Sequence, residues 1–340
     1  MHRPVFFTVL CLVVLLGLGG LTGWWFFLAS FGERVVAHWE SHAQEHGWKT
    51  RHAGLERGGF PFRVTLTLAS PRLRGDTGDG AHVDWRGDAL RFEASVWRPR
   101  HVRFMVLGDQ EAVYAPDGGL PVHVAADTVE GAWEPLGRGW RLVGHSRTIV
   151  ASPVDEPSER LLVKRLDLDL DLSRIADEVH ALLIEAQARN VTLPRDAPFG
   201  REIALLDVDG RLEPPPPDGF GETELTAWRA AGGQATINVA RVEWGPVTLG
   251  SRGSLSLDAA LRPEGTMQIE VTGYREGLEA LAGAGIIEEG AIPALATVFG
   301  LFAETDASGR STARAPLAFR DGWLFVGPAR IAELAPVCDC

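Results

Sequence analysis

The chain has 340 residues, 45% of them apolar and 23% charged, with a formal net charge of −12 and a pI near 5.3. That much apolar material suffices for a substantial core and excludes an intrinsically disordered chain. The acidic balance argues against nucleic acid as a partner and against an electrostatic grip on anionic lipid headgroups.

In chain order, the first feature is a charge-free run from Pro4 to Gly32. A helix rises about 1.5 Å per residue, so roughly 20 residues cross a hydrocarbon layer about 30 Å thick, and this run has residues to spare. It is too long for the 7–15-residue apolar core of a cleaved signal peptide, in which case the cut would fall near Ala29-Ser30. Trp24, Trp25, Phe26 and Phe27 gather at its far end, where ring systems favour the headgroup layer. The expectation is an uncleaved signal anchor at 4–32 behind a cytoplasmic tail of residues 1–3. Long domains translocate largely regardless of charge, so the bulk is placed in a periplasm, on a bacterial inner membrane. Gly19 and Gly23 have the Gly-xxx-Gly spacing that lets two helices approach, although glycine is common in membrane helices anyway.

A juxtamembrane helix is predicted over 33–47, with Val35, Trp39 and Ala43 on one stripe and Gly47 as its stop. From Arg63 to Leu68 polar and apolar residues alternate strictly, the mark of a strand with one buried face. On that pattern Phe62 shares the buried face with Val64, Leu66 and Leu68, so Phe62→Ala is expected to be strongly destabilising. Period two then persists through AHVDWRG, ALRFEASVW, HVRFMVLG, EAVYA, PVHVAAD, TVEGAW, RLVGHSRTIVAS and ERLLVKRLDLDLDL, divided by Gly, Pro, Asp or Asn. Such spacing predicts an antiparallel meander.

A short helix is expected over 173–180, strands at ALLIEAQARNVTL and REIALLDVDGRL, and a stiff Pro-rich linker at 213–219. The linker separates a β-rich first half, 58–212, from a second half with helices, 220–336, ahead of a tail at 337–340. In the second half TELTAWRAAGG reads as a short helix with Thr223 as N-cap and Gly232-Gly233 as stop. Further strands, two helices near 276–282 and 291–302, and a hairpin turning at Asp321-Gly322 complete the pattern. The fold class is mainly β: one anchor helix, then a long curved antiparallel sheet with a few short helices.

Four local patterns could carry chemistry, and each has a plainer explanation. His42 to His46 fits the inverted zinc-protease spacing, but on an extension of the anchor it reads as a polar helix stripe. Asp167, Asp169 and Asp171 would suit a hard cation, yet alternation with leucines is what any half-buried strand shows. His145-Ser146 lacks the nucleophile elbow of a hydrolase. Cys338 and Cys340 close the chain without zinc-ligand spacing, and Cys11 lies in the span. No catalytic, cofactor-binding or metal-binding residue is therefore assigned, no cofactor is expected, and the chain is read as non-enzymatic. An enzyme whose site is assembled from distant strands would leave no local motif.

Several short motifs, taken in order, carry a resemblance. They are Gly59-Phe60-Pro61-Phe62-Arg63, Trp97-Arg98-Pro99, Ala227-Trp228-Arg229 running into Gly232-Gly233, Trp244-Gly245-Pro246, Gly253 leading to Leu257-Asp258, and Asp321-Gly322 with Gly327-Pro328. With the N-terminal span they make nearly the whole chain resemble the alphaproteobacterial proteins grouped as domain of unknown function 2125. More distantly the build looks like AsmA-type envelope proteins. The first resemblance implies an envelope location and a β-rich body and transfers no catalytic residue. The second, an analogy of fold, implies an apolar groove for lipid. Expected partners are the membrane, then lipid acyl chains or, alternatively, an envelope protein.

Overall fold

A computed structural model describes residues 3–338 apart from 78–79, 117, 137–138, 175–179, 216–220, 306–310 and 328. The expected short helix over 173–180, the Pro-rich linker and the terminal Cys-Asp-Cys fall wholly or partly outside the described residues. Helix α1 (Arg3–Glu45) is a single unbroken element of 43 residues, about 65 Å long at 1.5 Å per residue. It is long and apolar enough to cross a membrane. Within the 4–32 stretch, however, residues from Leu21 onward rest against the folded body. Trp25 and Ala29 are buried with Val64, Leu66 and Val96, and Leu21, Leu28 and Val36 pack around them. Two indoles fasten the contact: Trp24 Nε1 donates to the Val96 carbonyl at 3.0 Å and Trp25 Nε1 to the Arg63 carbonyl at 2.5 Å. Farther along, Glu33 pairs with Arg57 at 2.9 Å and Glu40 meets His52 at 3.3 Å.

The body is one 18-stranded sheet. Its first edge is made of two collinear pairs of short strands. β1 (Lys49–Arg51) pairs with β4 (Arg72–Asp76), and β2 (Gly54–Gly58) with β3 (Arg63–Ala69). Both β3 and β4 then pair with the long β5 (His82–Ser95). From there each strand pairs antiparallel with the next in sequence: β6 (Arg98–Ala115), β7 (Val122–Leu136), β8 (Gly139–Pro153), β9 (Leu161–Arg174), β10 (His180–Thr192), β11 (Glu202–Glu213), β12 (Gln234–Trp244), β13 (Val247–Leu257) and β14 (Pro263–Thr272). β14 pairs with β16 (Ser311–Arg320), which also carries β15 (Ala303–Thr305) and β17 (Trp323–Val326); β18 (Ala329–Glu333) closes the far edge. The predicted meander is therefore present. β11 and β12 pair directly, so the sheet runs on across the Pro-rich segment.

Several separators that read as turns in the sequence are instead bends inside long strands. AHVDWRG and ALRFEASVW fuse into β5, HVRFMVLG and EAVYA into β6, PVHVAAD and TVEGAW into β7. The bends fall in line. Ser70, between β3 and β4, takes φ 47° and its N–H donates to the Asp88 carbonyl at 2.7 Å. Asp88 is the residue at which β5 shifts register against β6, and its carboxylate accepts the Asp109 N–H at 3.0 Å. β6 shifts against β7 between Val106 and Glu111. Thr148 in β8 and Asn190 in β10 both take φ 51°, on either side of Lys164 in β9, and β11 shifts against β12 between Ile203 and Leu205. Register shifts and left-handed residues raise local twist and bend a strand. Aligned across neighbouring strands, they form a crease running through the first half of the sheet.

Short helices sit at the strand ends. α2 (Glu222–Ala230) is capped at Gly221, with no side-chain cap, rather than at Thr223 as expected; the helix starts two residues too early for the Thr223 hydroxyl to serve. The predicted stop holds, and its reason is visible. The Trp228 ring lies directly against Gly233, where a Cβ would overlap it, and Trp228 Nε1 donates to the Pro214 carbonyl at 2.8 Å. α3 (Tyr274–Gly283) and α4 (Ile292–Leu301) correspond to the two predicted helices, with Tyr274 stacked on Phe299 at 5.4 Å. Asp321 and Gly322, both at positive φ, form the two-residue turn between Arg320 and Trp323.

Phe62 departs from its expected place. Strand β3 begins only at Arg63, whose N–H donates back to the Gly59 carbonyl at 2.9 Å, so residues 60–62 form a turn that throws both phenylalanines outward. Phe60 and Phe62 are 55% and 59% exposed.

Candidate functional site

Directly paired residues in an antiparallel sheet lie on the same face. One row can thus be followed across thirteen strands: Val64, Ala94, Val102, Trp133, Leu142, Leu170, Ile184, Gly210, Ile237, Gly253, Met267, Leu317 and Val326. None of the thirteen carries a charge or a polar side chain. At about 4.8 Å between strands the row is roughly 58 Å long. A neighbouring row on the same face runs Leu66, Phe92, Phe104, Gly131, Gly144, Leu168, Ala186 and Val208, again without a polar group.

The opposite face is its chemical inverse. The row Arg91, Met105, Glu130, His145, Asp167, Gln187, Asp207 and Arg241 is polar at every position but one. Charges on this face are matched within and across strands: along β9, Arg165 Nε donates to Asp167 at 2.6 Å, and from β8, His145 Nδ1 lies 2.7 Å from the same carboxylate and Arg141 donates to Asp169 at 2.9 Å. The hydrogen bond from Arg165 outweighs the opposing effect of burial and, with a further hydrogen bond from His145, holds the Asp167 carboxyl below the usual range. Asp169 raises the pKa of the Arg141 guanidinium. Hydrogen bonds from His123 and Arg86 likewise lower that of Glu111.

A globular domain of this size ordinarily covers such an apolar face with a second layer. Here the sheet is the only one among the described residues, and the helices touch it at its ends: α1 on β1 and β3, α3 and α4 on β13, β15 and β16. Side chains in the middle of the apolar rows are consequently half-buried rather than buried. Leu142, Leu168, Leu170 and Ile184 are intermediate, Trp133 is 42% exposed and Val208 is 43% exposed. The principal buried cluster is the one beneath α1. Together with the crease, the arrangement leaves one open apolar face, called the trough below, and a charged wall on the reverse.

The remaining sequence candidates are dispersed. His42 lies on the last turn of α1 and His46 just past its end, both exposed, with His46 Nδ1 2.8 Å from the His42 carbonyl. Among the described residues no three His, Cys, Asp or Glu side chains form a metal-sized group. His145 faces the charged wall, whereas Ser146 is buried on the other side and donates to the Thr128 carbonyl at 2.9 Å, so the two do not share a site. Of the tryptophans, Trp133 and Trp140 face the trough, Trp228 is core, and Trp97 is 71% exposed on the β5–β6 turn. The rows themselves were hidden in the sequence because they exist only once strand register is known.

No curated protein and no solved structure matches this chain. A family model described as an uncharacterized protein conserved in bacteria, DUF2125, matches residues 25–335, which takes in α1 from Trp25 and essentially the whole sheet. Several of the described motif residues quoted for that resemblance serve as turns and packing points of the sheet, as Trp228 with Gly233 and Asp321 with Gly322 do. The chain belongs to the bacterial DUF2125 family.

Proposed function

We propose that this chain is a non-catalytic protein of the bacterial envelope, anchored in the inner membrane with its bulk in the periplasm, whose trough holds or conducts lipid acyl chains. The observation that carries this is the uncharged thirteen-strand row, left open to solvent along its middle. Each methylene transferred from water onto such a surface contributes about 0.8 kcal/mol. An extended hydrocarbon chain therefore suits the row better than any compact ligand. Native mass spectrometry of the detergent-extracted protein should reveal co-purifying lipid, and a clean apo mass across several preparations would count strongly against the proposal.

A protein partner is the alternative, favoured by one observation: β18 pairs only with β17 among the described residues, and Ile331 on it is 58% exposed. Edge strands recruit extended segments by strand addition. Crosslinking in intact cells separates the two, since one dominant protein adduct favours the partner. Both need the stated topology, under which a reporter active only outside the cytoplasm is active when fused after Cys340 and the protein resists alkaline wash.

A further inference from the structure

We infer that the β5–β6 hairpin tip, Val96 to Arg100, sits in the headgroup layer of the membrane that α1 enters, with Arg98 and Arg100 holding a phospholipid phosphate beside the tip. Residues 3–23 of α1 span about 31 Å at 1.5 Å per residue, close to the roughly 30 Å of a hydrocarbon layer, which brings Trp24 to its boundary. The Trp24 indole donates to the Val96 carbonyl at 3.0 Å, so Trp97 lies at the same level. Around this point the surface is aromatic and open: Trp97 is 71% exposed, and Phe60 and Phe62 project from the neighbouring β2–β3 turn. Aromatic rings concentrate at that depth in membrane proteins, and an exposed apolar patch beside a membrane helix needs such a cover.

Charge gives the second, independent argument. Nearby arginines are neutralised within the protein: Arg57 by Glu33, and Arg63 and Arg103 by Glu93. Arg98 and Arg100 are exposed and form no ion pair among the described residues. They line a shallow hollow of about 510 Å³ with Trp97, Pro99, His101 and Glu134; Glu134, already engaged by His101 at 3.3 Å, pairs in register with Arg141, so that side of the hollow belongs to the charged face at the strand ends. In a chain of net charge −12, two unanswered guanidiniums beside an exposed indole match an anionic phosphate with a hydrocarbon tail. Val102 in β6 and Ala94 in β5, first members of the apolar row beyond α1, lie just past the tip. The entry of tails into that row rests on the lipid-binding function proposed above; the depth of the tip does not.

The test uses the full chain with Cys11, Cys338 and Cys340 replaced by serine, carrying a nitroxide at Trp97→Cys or at Val154→Cys, on the β8–β9 loop at the opposite strand ends. In nanodiscs of equal parts phosphatidylglycerol and phosphatidylcholine, the label at 97 should be relaxed more by oxygen than by a water-soluble nickel chelate, with the reverse at 154. Equal nickel access at both sites overturns the inference. Arg98→Gln with Arg100→Gln should lower retained phosphatidylglycerol several-fold in native mass spectra while leaving diacylglycerol, which carries no anionic group, bound as before. Unchanged phosphatidylglycerol retention overturns the phosphate assignment. Headgroup depth at 97 with no diacylglycerol bound to either protein defeats the trough's lipid function alone and upholds the location of the tip.

Discussion

Asp258 grips Arg262 twice: its Oδ1 accepts the Arg262 backbone N–H at 2.9 Å and its Oδ2 the side-chain Nε at 2.8 Å. The same Oδ1 takes the Ala260 N–H at 2.8 Å, and the guanidinium so held lies against Gly322, where no Cβ would fit. The β13–β14 turn is thereby locked onto the β16–β17 turn.

Burial alone would raise the pKa of Asp258, but the Arg262 and Ala260 hydrogen bonds outweigh it and hold the carboxyl below its ordinary value. A carboxyl with a depressed native pKa adds stability that is complete above its unfolded pKa, near 4, and is lost as pH falls through the lower native value. The melting temperature of the wild type should thus fall on acidification below about pH 4, and Asp258→Asn should remove part of that fall while lowering stability at pH 7. Thermal unfolding of both proteins across that range checks the sign.

Beneath α1, Trp25 is 5% exposed and Ala29 fully buried. Trp25→Ala should cost about 3–5 kcal/mol and Ala29→Leu, which overfills the contact, about 1–3 kcal/mol. Denaturant titration in detergent micelles measures both.

Phe62 is the contrasting case. Because the turn at 60–62 exposes it, Phe62→Ala should change stability by less than about 1 kcal/mol, whereas Leu66→Ala, at 5% exposure, should cost about 2–5 kcal/mol. Equal melting shifts for the two would mean that the turn packs inward.

On the trough, Leu170→Glu places a charge in the middle of the uncharged row, and Asp169→Asn alters only the opposite wall. The first should strip co-purifying lipid without unfolding the half-buried site; the second should leave lipid untouched. Native mass spectra with circular dichroism as a folding control decide it.

Thr148 is a β-branched residue in left-handed conformation, which costs about 1–2 kcal/mol that glycine avoids. Thr148→Gly should accordingly raise or preserve the melting temperature, although glycine in an ordinary strand position lowers it.

Alternation of polar and apolar residues was enough to read the strands and their antiparallel order, since each face of the sheet has one chemistry along nearly its whole length. It did not distinguish a turn from a bend. Gly87-Asp88 and Gly108-Asp109 carry the composition of hairpin loops, and only pairing partners on both sides reveal that the strand continues through them. Phe62 was misplaced for a related reason: period two extends past the physical end of a strand without any local signal. The docking of Trp25 was hidden by a segment apolar on every side, which reads the same whether it meets lipid or protein.

From β4 to β14 every strand pairs with its immediate successor in sequence. Contacts are then local along the chain, and low contact order favours fast folding even for all-β topology. A sheet built this way also resembles a solenoid in its energetics, with stability summed from neighbour to neighbour rather than drawn from one centre. Growth can proceed strand upon strand from the N-terminal anchor as the polypeptide is delivered, each new strand finding its partner already in place. Loss of order begins correspondingly at the free β18 edge and advances inward by steps, so heating should give a broad melt with staged hydrogen exchange instead of a single sharp transition.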